Sequence, residues 1–282
     1  MQDSSGYSVQ EKILQAEANG GVNPYRETHK RLFEILDTFN GMVPIVDIER
    51  ARLFTASMKS TEGQPLILRW AKALKHIAEN ITVYVDDKQL LVGRCGTDRG
   101  RYGILYPELD GDILAQAMHS LSERKAAPIH VEADDVKVVM EEITPYWSGK
   151  TFHEELNISL PEDAHRLAYN DPRGLSTRFV VSETASYRSS QQWVLDYKKV
   201  IYRGFASIRA ETQARLDALD PLSPMDMLKK KPFLQAVVIT CDAIVHWAKR
   251  HAVLARQKAE QEKDPARKTE LLTIAANCEQ VP

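Results

Sequence analysis

Apolar residues recur at helical spacing along most of the chain. Between positions 26 and 39 they lie three or four residues apart, which predicts one helix that ends before Asn40 and Gly41. The same spacing predicts helices over 48–57 and 65–80. Because each of these segments has one apolar face, we expect them to pack against one another in a mostly α-helical fold.

One short stretch departs from the helical pattern. Residues 81–85 alternate between apolar and polar side chains, a period of two that is typical of a β-strand. The polar residues 86–88 follow, and residues 90–93 are again mostly apolar. This order predicts a β-hairpin and gives the fold a small β component.

Two long amphipathic helices are predicted in the second half of the chain. The first covers 189–219 and the second covers 232–262, and each has apolar residues along one face. Pro221 and Pro224 separate them, because proline lacks a backbone donor and disfavours helix in the residue before it. We therefore expect two long helices joined by a short connection.

Composition restricts the kinds of binding partner more than it restricts the fold class. The 282 residues include 37 basic and 39 acidic side chains, so the formal net charge is −2 and no single-sign field is expected. This balance argues against nucleic acid or a membrane as partner and favours a small molecule or a protein. Residues 1–24 are polar and end in turn signals, which indicates an N-terminal arm before one domain over 25–282.

The start of the sequence and its cysteines bear on the cellular compartment. The polar residues after Met1 do not resemble a secretory signal, and no apolar run is long enough to span a bilayer, so we expect a cytoplasmic protein. Cys95, Cys241 and Cys278 lie too far apart for a disulfide framework or a zinc site. We interpret them as reduced thiols with structural roles.

The histidines give no metal-binding pattern. A His-Glu-x-x-His string is absent, and no other ligand spacing emerges. His246 and His251 share the second long helix and lie roughly 140° apart around its axis. We interpret both as core or groove residues and predict no bound metal.

One pair of residues has the chemistry of an anion site. Arg188 and Gln192 are four positions apart, so a helix over this segment would place a planar guanidinium and an amide on one face. Their N–H groups could together bind a tetrahedral oxyanion such as sulfonate, phosphate or sulfate. A surface arginine beside a solvated glutamine is the alternative, and the residues alone favour that alternative. Residues 178–183, which precede the pair, favour a β-strand. We therefore expect the pair to lie where a strand ends and a helix begins.

Several strings occur in the order and spacing of a known family. The match extends from about residue 47 to the last residue, and residues 143–151 are its most specific part. The strings are Glu49-Arg50-Ala51, Thr61-Glu62-Gly63-Gln64-Pro65, Ala71-Lys72-Ala73-Leu74, Leu91-Val92-Gly93, Tyr106-Pro107-Glu108, Ile143-Thr144-Pro145-Tyr146-Trp147-Ser148-Gly149-Lys150-Thr151 and Asp264-Pro265-Ala266-Arg267 with the residues that follow it. In these strings the chain resembles the glycyl radical enzymes, the family of pyruvate formate-lyase.

The resemblance implies a fold and a chemistry. Family members form a ten-stranded α/β barrel wrapped by helices, and this chain would supply the N-terminal part. Their glycine radical is installed by a radical S-adenosylmethionine activating enzyme and generates a thiyl radical on the cysteine of a Cys-x-Glu signature. None of the three cysteines is followed two positions later by glutamate, and the Arg-Val-x-Gly string of the radical loop is absent. We therefore assign no catalytic residue and no bound cofactor to this chain, and expect it alone to be inactive.

The segment before Asp196 and Tyr197 distinguishes branches of the family. Many dehydratase-like members have Gly-His-x-x-Pro-Asp-Tyr here, whereas this chain has Gln192 in place of the histidine and Leu195 in place of the proline. Arg188 and Gln192 instead resemble the pair that binds the substrate sulfonate in the branch that cleaves isethionate. The resemblance implies a carbon–sulfur lyase that converts isethionate into sulfite and acetaldehyde, with these two residues as sulfonate ligands.

The resemblance also implies partners and leaves alternatives open. The intact enzyme would bind a small sulfonate, act with its activating enzyme under anaerobic conditions and form a homodimer. Another glycyl radical lyase or dehydratase, acting on a different sulfonate, on choline or on a diol, is one alternative. A truncated helical fragment without catalytic function is the other.

Overall fold

The structure, a computed structural model, describes residues 26, 29–40, 42–93, 103–108, 118, 120–125, 128–151, 155, 159, 161–163 and 195–281. Helices dominate these ranges, and the strands seen there are short. The expectation of a mostly α-helical chain with a small β component is confirmed. Within the described ranges, no helix is both long and apolar enough to cross a bilayer.

Most of the predicted helices are present. Those predicted over 48–57, 65–80 and 232–262 are confirmed with ends shifted by a few residues, and the one predicted over 26–39 begins later, at Lys30. The elements in chain order are α1 (Lys30–Asn40), β1 (Val46–Asp47), α2 (Glu49–Ser60), α3 (Leu66–Asn80), β2 (Gly103–Ile104), α4 (Ala133–Val138), the π-helical turn Val139–Ile143, α5 (Thr144–Trp147), α6 (Tyr197–Asp217), the π-helical turn Asp226–Lys230, α7 (Lys231–Gln261) and α8 (Pro265–Gln280).

The chain divides into two compact units. One comprises residues 1–43 with 86–88, and the other comprises residues 44–85 with 89–282. The N-terminal arm proposed over 1–24 stays a prediction, because it lies outside the described residues.

Surface ion pairs occur in the described part of the smaller unit. Arg26 donates two hydrogen bonds to the Asp37 carboxylate, at 2.7 and 2.9 Å, and these bonds lower the pKa of Asp37. Lys88 Nζ lies 2.9 Å from a carboxylate oxygen of Glu34, which likewise lowers the pKa of Glu34. Because these side chains are exposed to solvent, the pairs contribute little to stability.

The first core of the larger unit forms around α2. Phe54 on this helix is 2% exposed, and its ring stacks on Trp147 of α5 with the ring centres 5.6 Å apart. The edge of Trp70 on α3 approaches the same ring at 5.1 Å. Such aromatic contacts add to the free energy gained by burying the rings, so they fix α2, α3 and α5 relative to one another.

Two short strands pair beside the start of α2. β1 pairs in parallel with β2, and Ile45, just before β1, forms a parallel bridge with His130. The buried carboxylate of Asp47 at the end of β1 accepts a hydrogen bond from the Glu49 N–H at 2.9 Å. A parallel strand followed directly by a helix is typical of α/β architectures.

The second core of the larger unit lies between α7 and α8. Alanines at 252, 255, 259 and 275 are buried there, and they pack with Leu271, Ile274 and Val85. Small side chains allow two helices to approach closely, so this interface is tight. The side chain of Asp264 begins α8 as its N-cap, accepting hydrogen bonds from two backbone N–H groups at 3.1 and 3.3 Å.

The hairpin predicted over 81–93 is wrong. These residues form no strand, and two of their backbone carbonyls instead accept hydrogen bonds from side chains of α7 and α8. Lys258 donates to the Val85 carbonyl at 2.5 Å, and Arg267 donates to the Gln89 carbonyl at 2.9 Å. Val85 is 1% exposed within the second core, so its side chain is buried by helix packing rather than by a partner strand.

The helix predicted over 189–219 is correct at its end and wrong at its start. It ends at Asp217, as the prolines predict, but among the described residues it begins only at Tyr197. Asp196 caps it, with its side chain accepting from the Lys199 N–H at 3.1 Å. Gly204 interrupts the helix with φ 67° and ψ 160°, a backbone conformation that is essentially restricted to glycine.

Candidate functional site

The predicted sulfonate ligands, Arg188 and Gln192, lie outside the described residues, so their role stays a prediction. The next described residue is Leu195, which is followed by the cap and the first turns of α6. Lys198 and Lys199 are exposed there, and they border a shallow pocket of about 340 Å³ together with Arg203 and other residues. Three basic side chains and the acidic side chain of Asp196 thus line this pocket.

The first family string and the string at 106–108 meet in a buried ion pair. Arg50 donates to both carboxylate oxygens of Glu108, at 2.6 and 3.2 Å, and to the Leu105 carbonyl at 3.4 Å. Its guanidinium carbon lies 4.1 Å from the ring centre of Tyr106 and 5.1 Å from that of Phe54. The Glu108 side chain is 4% exposed, so these residues tie α2 to the segment after β2 rather than to solvent.

The most specific string, residues 143–151, also has structural contacts. Arg69 donates to the Met58 carbonyl at 2.8 Å and to the Tyr146 hydroxyl at 3.0 Å. Lys150 Nζ lies 3.9 Å from the ring centre of Tyr146 and 3.6 Å from the Glu62 carboxylate. Burial raises the pKa of Tyr146, so this phenol stays protonated near neutral pH.

The same string places an indole against α2. Trp147 is buried and donates through Nε1 to Thr55 Oγ1 at 2.9 Å. At the other end of the chain, Arg267 joins the Gln89 carbonyl to the Glu270 carboxylate, with both contacts at 2.9 Å. The family strings thus contact one another and build the scaffold. Because their contacts are structural, these strings identify the fold of the chain rather than the reaction of an enzyme.

Sequence reasoning missed a polar cleft at the start of α2. Its volume is about 700 Å³, and Asp47, Glu49, Arg52, Lys59 and Asp135 are among its lining residues. Thr82 donates to Glu49 Oε1 through its backbone N–H at 3.1 Å and its hydroxyl at 2.8 Å. In the sequence, the cleft is marked only by an aspartate and a glutamate on either side of a helix start. This pattern is too common in proteins to predict a cleft.

Across the described ranges, no cluster of three histidines, cysteines or acids is placed to hold a metal.

Two of the cysteines have the environment of structural thiols. Cys241 is 3% exposed on α7, and burial raises the pKa of its thiol. Burial also raises the pKa of Cys278 on α8, with the neighbouring Glu279 carboxylate adding to the effect. A raised pKa leaves little thiolate at neutral pH, so neither is an activated nucleophile. Cys95 lies outside the described residues.

The two histidines of α7 differ, although both were predicted to be core or groove residues. His251 is 3% exposed and its Nδ1 lies 3.0 Å from the Trp247 carbonyl, so the prediction is confirmed for this ring. His246 is exposed, so the prediction is wrong there, because their spacing turns the two rings to different sides of the helix. Burial is the main cause of the lowered pKa of His251.

We expect His251 to make the chain sensitive to mild acid. In the unfolded chain its imidazole takes up a proton below about its ordinary value of 6.5, while the folded ring resists protonation until lower pH. The contribution to stability is therefore fully present above that value and is lost as pH falls through the lowered pKa. Urea unfolding between pH 7.5 and 5 should show a smaller loss in His251→Leu than in the wild type. The exposed matched variant, His246→Gln, should keep the full loss, and equal acid sensitivity in all three proteins would contradict the assignment.

The scaffold built by these strings is that of a known class of protein. The chain matches the model of the pyruvate formate lyase-like family over residues 24–282, and it therefore belongs to that family. It is similar to the solved B12-independent glycerol dehydratase from Clostridium butyricum, with a TM-score of 0.79 and 31% identity, covering 89% of this chain and 31% of that one. It is also similar to a glycyl radical enzyme from Archaeoglobus fulgidus, with a TM-score of 0.71 and 34% identity, covering 86% of this chain and 30% of that one. The chain thus corresponds to the N-terminal part of the glycyl radical enzyme fold, as expected.

A curated relative is more similar in sequence. The chain is 56% identical over all 282 residues to the isethionate sulfite-lyase of Nitratidesulfovibrio vulgaris, of which it covers 34%. It therefore spans about a third of the length of this relative.

Proposed function

We propose that the chain supplies the N-terminal, substrate-binding part of a glycyl radical carbon–sulfur lyase that cleaves isethionate to sulfite and acetaldehyde. The observation that carries the proposal is the 56% identity to an isethionate sulfite-lyase over the whole chain, against 31% to the solved glycerol dehydratase. The difference agrees with Gln192 standing where dehydratase-like members carry histidine.

Arg188 and Gln192 are proposed to bind the sulfonate. A guanidinium offers several N–H donors in one plane, and a hydrogen bond to a charged group contributes roughly 1.5–3 kcal/mol. The amide of Gln192 adds donors without adding charge.

The chemistry of bond cleavage requires groups outside these 282 residues. In this family a glycine radical, installed by a radical S-adenosylmethionine activating enzyme, supplies the hydrogen-abstraction chemistry. The cysteines of this chain lack the Cys-x-Glu signature. The role that we propose for this chain is therefore to bind the sulfonate, orient the substrate and stabilise the negative charge that develops on the leaving sulfite.

The proposal also covers the oligomeric state, the cellular location and the partners of the enzyme. We propose a homodimer of family-length polypeptides that acts under anaerobic conditions in the cytoplasm, with a small sulfonate and the activating enzyme as its partners. Nucleic acid and membrane are not proposed as partners, because the net charge of −2 provides no single-sign field.

A chimeric polypeptide tests the function. The 282 residues would replace the matched 34% of the Nitratidesulfovibrio vulgaris lyase, so that the remainder supplies the missing groups. After anaerobic activation by the activating enzyme of that organism, we expect release of sulfite from isethionate and no turnover of choline or glycerol. The unactivated chimera and the complete relative are the negative and positive controls. Turnover of choline or glycerol without sulfite release, in a chimera that carries the glycine radical, would contradict the proposal.

A further inference from the structure

Helix α6 is divided into two pieces at Gly204. The backbone there has φ 67° and ψ 160°, so residues 197–203 form a first helical piece and residues 205–217 form a second. This backbone conformation is open essentially to glycine alone, because a Cβ atom would clash with neighbouring backbone atoms. The glycine at this position is therefore what permits the break.

The second piece of α6 is anchored to α7, whereas the first piece is exposed. In the second piece Arg209 donates to the Asp242 carboxylate on α7, at 2.6 and 3.4 Å, and Thr212 is buried. In the first piece Tyr197 and Tyr202 are 65% and 80% exposed. The direction of the first piece must therefore depend on its junction with the second.

An ion pair bridges this junction. Arg203, the last residue of the first piece, donates to the carboxylate of Glu211 in the second piece. On a continuous helix the side chains that meet are three or four positions apart, so a contact over eight positions indicates that α6 changes direction at Gly204. Arg215 donates to the other oxygen of Glu211 at 2.5 Å, but it lies four positions away within the second piece. The hydrogen bond from Arg203 is the main cause of the lowered pKa of Glu211.

We propose that Gly204 is a positioning residue for the substrate site: it sets the direction of the first piece of α6, and the ion pair of Arg203 with Glu211 holds that direction. Gln192 precedes the first piece by five positions, so a change of direction would displace the proposed sulfonate ligands. The ion pair is exposed and contributes little to stability, so its effect is on orientation. The link to the sulfonate rests on the proposed function, whereas the break and the ion pair do not.

Distances between spin labels in the 282-residue chain test the break. Nitroxides on unnatural amino acids at Lys198 and Ala214 report across Gly204, and a pair at Ala206 and Ala214 reports within the second piece; all three positions are exposed. In Gly204→Ala we expect the 198–214 distance of a continuous helix, roughly 24 Å along the axis at 1.5 Å per residue, and in the wild type a distance that differs from it. The 206–214 distance should be the same in both proteins. Equal 198–214 distances in the wild type and in Gly204→Ala would overturn the proposal.

Two arginine variants test the ion pair. Arg203→Ala and Arg215→Ala each remove one partner of Glu211, but the bond of Arg203 crosses the break and that of Arg215 does not. We expect a broader distribution of 198–214 distances in Arg203→Ala, the wild-type distribution in Arg215→Ala, and recovery of most of the sharpness in Arg203→Lys. Identical distributions in the two alanine variants would contradict the role of the ion pair.

Turnover by the chimera described above tests the positioning role. Gly204→Ala should lower kcat/KM for isethionate by at least about tenfold, because small displacements of binding groups are costly to the reaction. Arg215→Ala should keep the wild-type value, and the glycine radical should form equally in both variants. Unchanged kcat/KM in Gly204→Ala would overturn the positioning role, and so would loss of its glycine radical, because the defect would then lie in folding. The distances need no turnover, so a chimera without these substitutions that releases no sulfite would count against the proposed function and not against the break.

Discussion

Replacing Arg188 by alanine in the chimera is expected to reduce sulfite release by about two to three orders of magnitude. The guanidinium is the proposed source of full positive charge at the sulfonate, and its loss leaves the neutral amide of Gln192 to bind an anion. Part of the loss should appear as weaker binding of isethionate and part as slower cleavage, because charge builds on the sulfite as the carbon–sulfur bond breaks. Initial rates of sulfite release across isethionate concentrations measure both parts.

Three further variants make this result specific. Arg188→Lys keeps the charge but loses the planar fork, so it should retain part of the activity. Gln192→His introduces the residue of dehydratase-like members and should also lower sulfite release. Arg124→Ala removes an exposed arginine elsewhere in the larger unit and should leave the rate unchanged. Electron paramagnetic resonance of the glycine radical should show equal activation in every variant, and unchanged turnover of Arg188→Ala would remove this arginine from the substrate site.

Local patterns predicted α1, α2, α3 and α7 because each of these helices carries its own signal, whereas α4, α5 and α8 had no separate prediction. The apolar stripes of α2, α3 and α7 were visible in the sequence, and the observed helices agree with them to within a few residues. The end of α6 was predictable because Pro221 disfavours helix in the residue before it, and the next helical residues begin only at Pro224.

The errors arose where distant parts of the chain decide the local structure. Residues 81–93 have a strand-like alternation, but Lys258 and Arg267, more than 170 positions away, bond their backbone carbonyls. The start of α6 was misplaced because the Asp196 side chain caps the helix there, and aspartate favours helix caps over helix interiors. Such competition between local preference and tertiary contacts cannot be resolved from periodicity alone.

The candidate site was also predictable only where the signal is local in the sequence. Family strings predicted membership of the family, but their roles needed the structure, since Arg50 and Glu108 are 58 positions apart and meet only in the fold. The polar cleft was not predicted at all, because residues of several elements form it. Arg188 and Gln192 were selected from their spacing of four positions and from the resemblance to the family.

The buried ion pair between Arg50 and Glu108 should produce the largest loss of stability. We expect Arg50→Ala to lower the free energy of unfolding of the 282-residue chain by about 3–5 kcal/mol, because it leaves a buried carboxylate without its partner. The Arg50 and Glu108 side chains are 16% and 4% exposed, so little water can replace the lost hydrogen bonds. Urea unfolding followed by circular dichroism measures the change.

A second arginine pair separates the effect of burial from that of distance. Arg209 lies 2.6 Å from Asp242, the same separation as between Arg50 and Glu108, but its two side chains are 42% and 45% exposed. Water can solvate the carboxylate that Arg209→Ala leaves behind, so this variant should unfold at nearly the wild-type urea concentration. Adding Glu108→Gln to Arg50→Ala should recover part of the stability, since a neutral amide is less costly to bury than an unpaired charge. Equal losses in Arg50→Ala and Arg209→Ala would show that distance rather than burial sets the strength of these pairs.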